Sequence, residues 1–244
     1  MTRTPVVAKK TTKRAATQRS ASPRATAEVT PKSGISLTQQ AYDAIKEKIL
    51  SLELRPGLFL NEAALCESTG LGRMPVHQAI HRLQAEGMIE VIPRKGLVIR
   101  MDSIHDIELV LEARMAMEPN IVALAAERIG DEQLAELRKL LKESKGLLNQ
   151  SQRDSFSLID RAFHRVVAEG SGNKFLADTL RPLHERSDLM WHLRIMPADG
   201  LEVTQQEHEA VLQALVARDP KAARKAMQIH LESLHSRILK ASGS

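Results

Sequence analysis

Four residues in the C-terminal half of the chain are of types that hold a divalent metal ion. Asp160 and His164 stand four apart in "LIDRAFHRVV"; on a helix this spacing makes their side chains neighbours, about 5–6 Å apart at Cβ. His208 in "QQEHEAV" and His230 in "MQIHLESL" sit in equally helical patterns. Three imidazoles and one carboxylate suit Zn, Ni, Mn or Fe, and ligand softness alone does not choose among them. Each residue taken singly also has a plainer reading. A histidine on a helix is more often a surface or hydrogen-bonded core residue, and Asp/His pairs at this spacing are common.

A second constellation lies in "GRMPVHQAIHRL", Gly72 to Leu83. Val76, Ala79, Ile80 and Leu83 fall at i, i+3, i+4 and i+7, the spacing of one buried helical face. Arg73, Met74, His77, Gln78 and His81 are left for the opposite side. Arginine can bridge guanine O6 and N7, and glutamine can bridge adenine N6 and N7, so the exposed face has the chemistry of base readout. A solvated helix face also carries charges and amides, so the face alone leaves both readings open.

The elements around that helix narrow the choice. From Leu37, apolar residues Ala41, Ala44, Ile45, Ile49 and Leu52 recur at helical spacing until "RPG", a turn signal. "LFL" reads as a short strand. Asn61 is a good N-cap for a helix over 62–68, which "TGLG" ends, with Gly70 just past its last turn. Pro75 suits the first turn of the next helix, and Gly87 suits its end. "MIEVI" and "LVIR" then flank "PRKG", a hairpin signal whose tip, Arg94, Lys95 and Gly96, suits contact with a phosphate backbone at the minor groove. The order is that of a winged helix-turn-helix over 36–101.

Beyond Ser103 the patterns are purely helical. Ser103 and Asp106 form a capping-box pair for a long helix with a bend or break near Pro119. A helix starts at Asp131, another covers "RDSFSLIDRAFHRVVAEGSG", and "NKFLADTLRPLHERSDLMWHLRIM" supplies one with an interruption at Pro182. Two more are split at Asp219-Pro220. The fold class is therefore mainly all-α: a winged helix-turn-helix with a small β-hairpin wing, then a bundle of six or seven helices over 103–240.

Composition agrees. The 244 residues are 43% hydrophobic but only 2% aromatic, which favours helices packed on helices. Residues 1–35 carry eight Lys/Arg against the single Glu28, whereas 101–244 hold nineteen basic and twenty-two acidic residues. The surplus of positive charge thus lies at the N-terminal end, read as a disordered basic tail, and a polyanion partner is expected there. The lone Cys66 excludes an internal disulfide and fits a reducing compartment. No stretch approaches 18 uninterrupted apolar residues, so a soluble, cytoplasmic protein with no membrane partner is expected.

"GLGRMPVHQAIHRLQAEGMIEVIPRKG" resembles the GntR-type regulators, whose members read close to V-S-R-T-P-V-R-E-A-L-R-R-L-E-A-E-G-L-V before a basic wing. The match joins Arg73, Pro75, Val76, Leu83, Glu86-Gly87 and Gly96 at fixed spacings. Gly72 and Met74 stand where the family has Ser and Thr, His77 where it has Arg, Gln78 where it has an acid, and Ala63 where many members have Arg. Operator sequence is therefore not to be borrowed from relatives. The remainder, Ser103 to about Leu239, resembles the FCD effector domain of the FadR branch through "ARMAMEPNIVALAAERI", Asp160 and His164, "SGN", Glu207-His208 and "ARDPKAARKAMQIHL".

The resemblance implies a homodimeric, sequence-specific transcriptional regulator, more often a repressor, that binds a palindromic double-stranded operator. It implies that Asp160, His164, His208 and His230 ligate a divalent metal at the floor of an effector cavity, where a small organic acid completes the metal's open positions. Arg114 is then either a carboxylate partner or a structural bridge to Glu118. Trp191 and Arg194 would line the cavity, with plain core packing the alternative for Trp191. His184 and His235 have no counterpart and are expected on the surface. A metal-dependent enzyme of small organic acids tethered to DNA is the alternative function. It is disfavoured because no HExxH or comparable metalloenzyme signature is present, so the chain is read as a non-enzyme.

Overall fold

The computed structural model describes residues 1–2, 34–190 and 200–242. Trp191, Arg194 and nearly all of the 1–35 stretch lie outside the described residues.

α1 (Leu37–Leu50) begins where the Ser36 hydroxyl accepts the Gln39 N–H at 3.1 Å, and it buries Ala41, Tyr42, Ile45, Ile49 and Leu50. β1 (Phe59–Leu60) leads to α2 (Glu62–Thr69), capped by Asn61 and ended by Gly70 at φ 68°, a left-handed conformation suited to glycine. α3 (Arg73–Ala85) starts at Gly72, which offers no side-chain cap, and buries Val76, Ala79, Ile80 and Leu83 as the spacing requires. These four join Ile45, Ile49, Leu65 and Ile99 in one core.

β2 (Ile89–Ile92) and β3 (Gly96–Ile99) form the expected antiparallel hairpin, with Glu90 opposite Val98 and Ile92 opposite Gly96. The "LFL" strand becomes a third member, with Phe59 pairing Val98 on the other side of β3, so the sheet order is β1-β3-β2. Gly96 has φ 108°, and a Cβ there would meet the Leu60 carbonyl oxygen at 2.7 Å. The wing thus needs glycine where β3 passes closest to β1.

Six further α-helices follow among the described residues: α4 (Ile104–Arg128), α5 (Asp131–Ser144), α6 (Arg153–Gly170), α7 (Lys174–Met190), α8 (Gly200–Val216) and α9 (Pro220–Ser242). The Ser103/Asp106 capping box forms as expected. α4 runs unbroken through Pro119 and α7 through Pro182, so neither helix is interrupted at its proline. A proline removes one hydrogen bond and crowds the preceding turn. α4, however, packs against α6, α7, α8 and α9, and this tertiary burial outweighs the local penalty. The bundle core is built from Val122, Ala125, Leu137, Phe163, Val167, Val211, Leu215, Met227 and Leu231.

Two polar clusters join α1 and the β3–α4 junction to α7. Lys46 Nζ lies 3.0 Å from Glu86 and 2.6 Å from Glu185 of α7, and the Tyr42 hydroxyl donates to Glu86. Arg186 of α7 donates to both Asp102 oxygens at 2.6 and 3.0 Å. Burial alone would push the Lys46 pKa down, but Glu185, Tyr42 and Glu86 outweigh it, and the pKa is raised. No helix among the described residues is long and apolar enough to cross a membrane.

Candidate metal centre and nucleic-acid interface

α6 contributes Asp160 and His164, α8 His208 and α9 His230, all buried. The bundle brings the three imidazoles together: one ring nitrogen from each lies within 4.8 Å of the others. Asp160 Oδ1 is 3.5 Å from His208 Nε2, at the edge of the group. Phe163 stacks on His208 with ring centroids 4.3 Å apart, closing one side with an apolar face.

Two carboxylates set the orientation of the rings. Glu118 of α4 accepts from His164 Nδ1 at 2.9 Å, and Glu207 of α8 accepts from His230 Nδ1 at 2.9 Å, with Arg237 3.2 Å from the same Glu207 oxygen. A carboxylate behind one ring nitrogen fixes the tautomer and turns the other nitrogen's lone pair forward, the arrangement that metal-ligating histidines use. Burial drives the His164 pKa down to about 4 and that of His208 well below its ordinary value, so both are neutral near pH 7. Neutral imidazole is the ligating form.

His208 Nε2 and His230 Nε2 have no hydrogen-bond partner among the described residues. A buried polar nitrogen left so costs about 1–3 kcal/mol. Converging, unpartnered ring nitrogens beside a carboxylate are the donor set of a divalent cation, so the residues present fit such a group.

Arg114 and Glu118 are buried beside the cluster. Arg114 Nε donates to Glu118 Oε1 at 2.5 Å, which is the structural bridge, and its Nη2 also lies 3.4 Å from His164 Nε2. Burial would raise the Glu118 pKa, but Arg114, His184 and His164 outweigh it and hold the carboxyl well below its usual range.

His184 departs from the sequence expectation. Rather than lying on the surface it is 5% exposed, with Nε2 3.0 Å from Glu118 Oε1 and its ring centroid 5.1 Å from that of His164. Glu118, His164 and His184 form a second group of potential ligand atoms within 4.8 Å of one another. Leu180, His184 and Ser187 are all buried, so the i, i+4, i+7 spacing of α7 carried the signal that His184 faces inward. His235 is half-buried.

A cavity of about 770 Å³ lies between α1, α6 and α7. Its lining includes Lys46, Arg161, Arg165, His184 and Glu185, but not Asp160, His208 or His230. On α6 it is lined by Arg161 and Arg165 rather than by Asp160 and His164, while His184 belongs to both the cavity lining and the buried cluster.

On α3, Arg73, Met74, His77, Gln78 and His81 are all exposed, as are Arg94 and Lys95 at the wing tip, where Gly96 is half-buried. The exposed groups are not independent of one another. Glu62 of α2 pairs with Arg73 Nε and with His77 Nδ1, each at 3.1 Å. His77 Nε2 meets His81 Nε2 at 3.1 Å, and Gln78 Oε1 accepts from the Thr38 hydroxyl at 2.6 Å. Its slight burial would raise the Glu62 pKa, yet His77 and Arg73 outweigh it and lower it. Glu62, which the sequence marks only as the start of a helix, therefore holds two of the five side chains of the proposed readout face, Arg73 and His77.

Residues 37–99 match the gntR family of bacterial regulatory proteins, and residues 109–233 match the FCD domain. The Uxu operon regulator of Haemophilus influenzae is 30% identical over 197 residues, covering 74% of this chain and 73% of that protein. The HTH-type transcriptional repressor RspR of Escherichia coli is 24% identical over 202 residues, covering 83% of this chain and 89% of that protein. Among solved structures, E. coli McbR/YncC shares the fold with a TM-score of 0.73 at 23% identity, covering 86% of this chain and all of that one.

Proposed function

The chain belongs to the GntR family of bacterial regulatory proteins and carries an FCD domain, and on that premise we propose how this DNA-binding regulator is controlled. Two copies bind a palindromic operator through residues 36–101 of each, with Arg73, His77, Gln78 and His81 toward base edges and Arg94 and Lys95 on the backbone. Met74 and Gly96 lie at the same surface. Residues 103–240 bind a small organic acid, whose occupancy lowers operator affinity, so that the protein is a cytoplasmic repressor rather than an enzyme.

The observation that carries this reading is the buried trio of converging imidazoles beside Asp160, with His208 Nε2 and His230 Nε2 lacking a hydrogen-bond partner among the described residues. Asp160, His164, His208 and His230 would hold a divalent cation of the Zn, Ni, Mn or Fe class. When bound, that cation supplies open coordination positions for a carboxylate. Glu118 and Glu207 keep His164 and His230 turned toward it. Arg114 already reaches within 3.4 Å of His164 Nε2 and offers a guanidinium to the same carboxylate, with Glu118 holding it in place. Phe163 and the surrounding apolar core exclude water, which strengthens each of these polar contacts.

The test is a thermal-shift screen of organic and sugar acids against the metal-reconstituted chain, with Asp160→Ala as control. A carboxylate should raise the Tm of the wild type and not of the variant; equal shifts in both remove the metal-anchored mechanism. Footprinting that protects no palindrome at any salt concentration removes the operator reading.

A further inference from the structure

Three consecutive residues of α7 face three different parts of the molecule. His184 stands against the buried cluster, 3.0 Å from Glu118. Glu185 pairs with Lys46 of α1 at 2.6 Å, with side chains only 8% and 12% exposed. Arg186 clasps Asp102, between β3 and α4, through two hydrogen bonds. Successive side chains on a helix diverge by about 100°, so three neighbours can hold three directions at once. A turn or slide of α7 must then move all three contacts together.

The link does not stop at α1. Lys46 shares its ammonium between Glu185 of the bundle and Glu86, the residue that ends α3. Tyr42 donates to the same Glu86. If Glu185 withdraws, Lys46 loses one of its two carboxylates and its hold on the end of α3 changes. At the other end, Glu118 touches both His164 and His184, so a change in how His164 is engaged reaches α7 through one carboxylate.

We propose that α7 is the lever by which the buried cluster sets the DNA-binding domain. His184 senses the cluster through Glu118, and Glu185 and Arg186 pass its displacement to Lys46 and Asp102, and through Lys46 to the end of the recognition helix. His184 is a positioning residue here, outside the Asp and three-His pattern. The contacts form one unbroken physical chain of packed and ion-paired groups, which is what coupling between two sites requires. The functional consequence rests on the reading of the cluster as a ligand site, whereas the mechanical link does not.

The experiment is hydrogen–deuterium exchange read by mass spectrometry on the full chain, first with chelator present. His184→Asn and Glu185→Gln should each speed exchange of α1 and of the last turn of α3 by roughly tenfold, and the double variant should add nothing to either. His235→Asn serves as the control and should leave both segments unchanged. Additive effects, or an α1 that ignores His184→Asn, overturn the lever; His184→Gln replaces His184→Asn if circular dichroism shows the latter unfolded. Zinc ion is then added. The wild type should gain protection in α1, while Glu185→Gln should bind zinc with unchanged Kd and gain none. A wild type that binds zinc without any change in α1 overturns the lever. Failure of the wild type to bind zinc overturns the metal reading instead, and the chelated comparison still decides the lever.

Discussion

Replacing Glu118 by Gln removes one charge from a site where three cationic or ring nitrogens converge on a single carboxylate. Glu118 is 3% exposed and Arg114 2%, with 2.5 Å between Nε and Oε1. Breaking a buried pair by neutralising one partner costs about 3–5 kcal/mol, because the remaining charge stays buried without compensation. A domain of this size has about 5–15 kcal/mol of stability in total, so the variant would lose roughly 30–50% of a mid-range value. At about 2–4 °C per kcal/mol for 150–250 residues, Tm should fall by roughly 6–20 °C. Gln keeps the shape and an acceptor for His164 Nδ1, so metal affinity should fall less completely, by about 10–100-fold, as for loss of an outer-shell partner. Calorimetric unfolding in chelator and zinc titration of the folded protein measure the two effects separately. A Tm within 2 °C of wild type in chelator would refute the claim that Glu118 is the charge compensating Arg114.

Other consequences are more local. Because burial lowers the His164 pKa from 6.5 to about 4, the folded chain refuses a proton that the unfolded chain accepts. Stability without metal should be full above pH 6.5 and fall as pH drops toward 4, by about 3 kcal/mol from His164 alone. Urea unfolding in chelator between pH 7 and 5 checks this, and a flat profile would contradict it. Glu62→Gln frees Arg73 and His77 from their common carboxylate and removes a negative charge from the readout face. Operator and non-operator DNA should both bind more tightly, with a steeper salt dependence in fluorescence anisotropy; weaker binding would mean that Glu62 presents Arg73 rather than restrains it. Gly96→Ala forces a side chain to φ 108° and a Cβ to 2.7 Å from the Leu60 carbonyl, a strain of about 1–3 kcal/mol. DNA affinity should fall, with little change in zinc binding. His77→Arg should alter base preference in a selected-site assay, since a guanidinium can bridge a base edge that an imidazole cannot.

The parts of this fold that are periodic could be read directly from the residues. The stripe Val76, Ala79, Ile80 and Leu83, the cap at Asn61 and the Ser103/Asp106 box each depend on neighbours within one turn, and each stands where the spacing put it. Pro119 and Pro182 do not interrupt their helices, because a proline's local penalty is offset by packing that the local sequence does not display. Long-range pairing was out of reach: nothing within "LFL" says that Phe59 lies against Val98. Among the candidate ligands, spacing marks Asp160 and His164, and type and pattern mark His208 and His230, whose three imidazoles the fold brings together; the carboxylates behind the rings carry no such local signal. Glu207 adjoins His208 in sequence, yet accepts from His230 on another helix.

His184 shows why type alone is a poor guide to burial. Histidine is intermediate between surface and core residues, and "RPLHERSD" surrounds it with charge. The flanking Glu185 and Arg186 look like solvated neighbours in one dimension. In the folded chain Glu185 is a buried partner of Lys46 and Arg186 a half-buried partner of Asp102, since α7 runs through the seam where α1, α6 and the start of α4 meet. The charged pair Glu185 and Arg186 is thus a junction between the helical bundle and the winged helix. The same neighbourhood accounts for the charge balance: Lys46 and Arg186 are cations held against Glu86, Glu185, Asp102 and Asp106, each bridge crossing from one element to another. Such pairs contribute little net stability where they are wet, but at a half-buried seam losing one partner leaves a charge without compensation, which favours the pairing that is formed. Lys46 lies within reach of both Glu86 and Glu185, and Arg186 of both Asp102 and Asp106, so a small movement of α7 can shift which of these pairs are made.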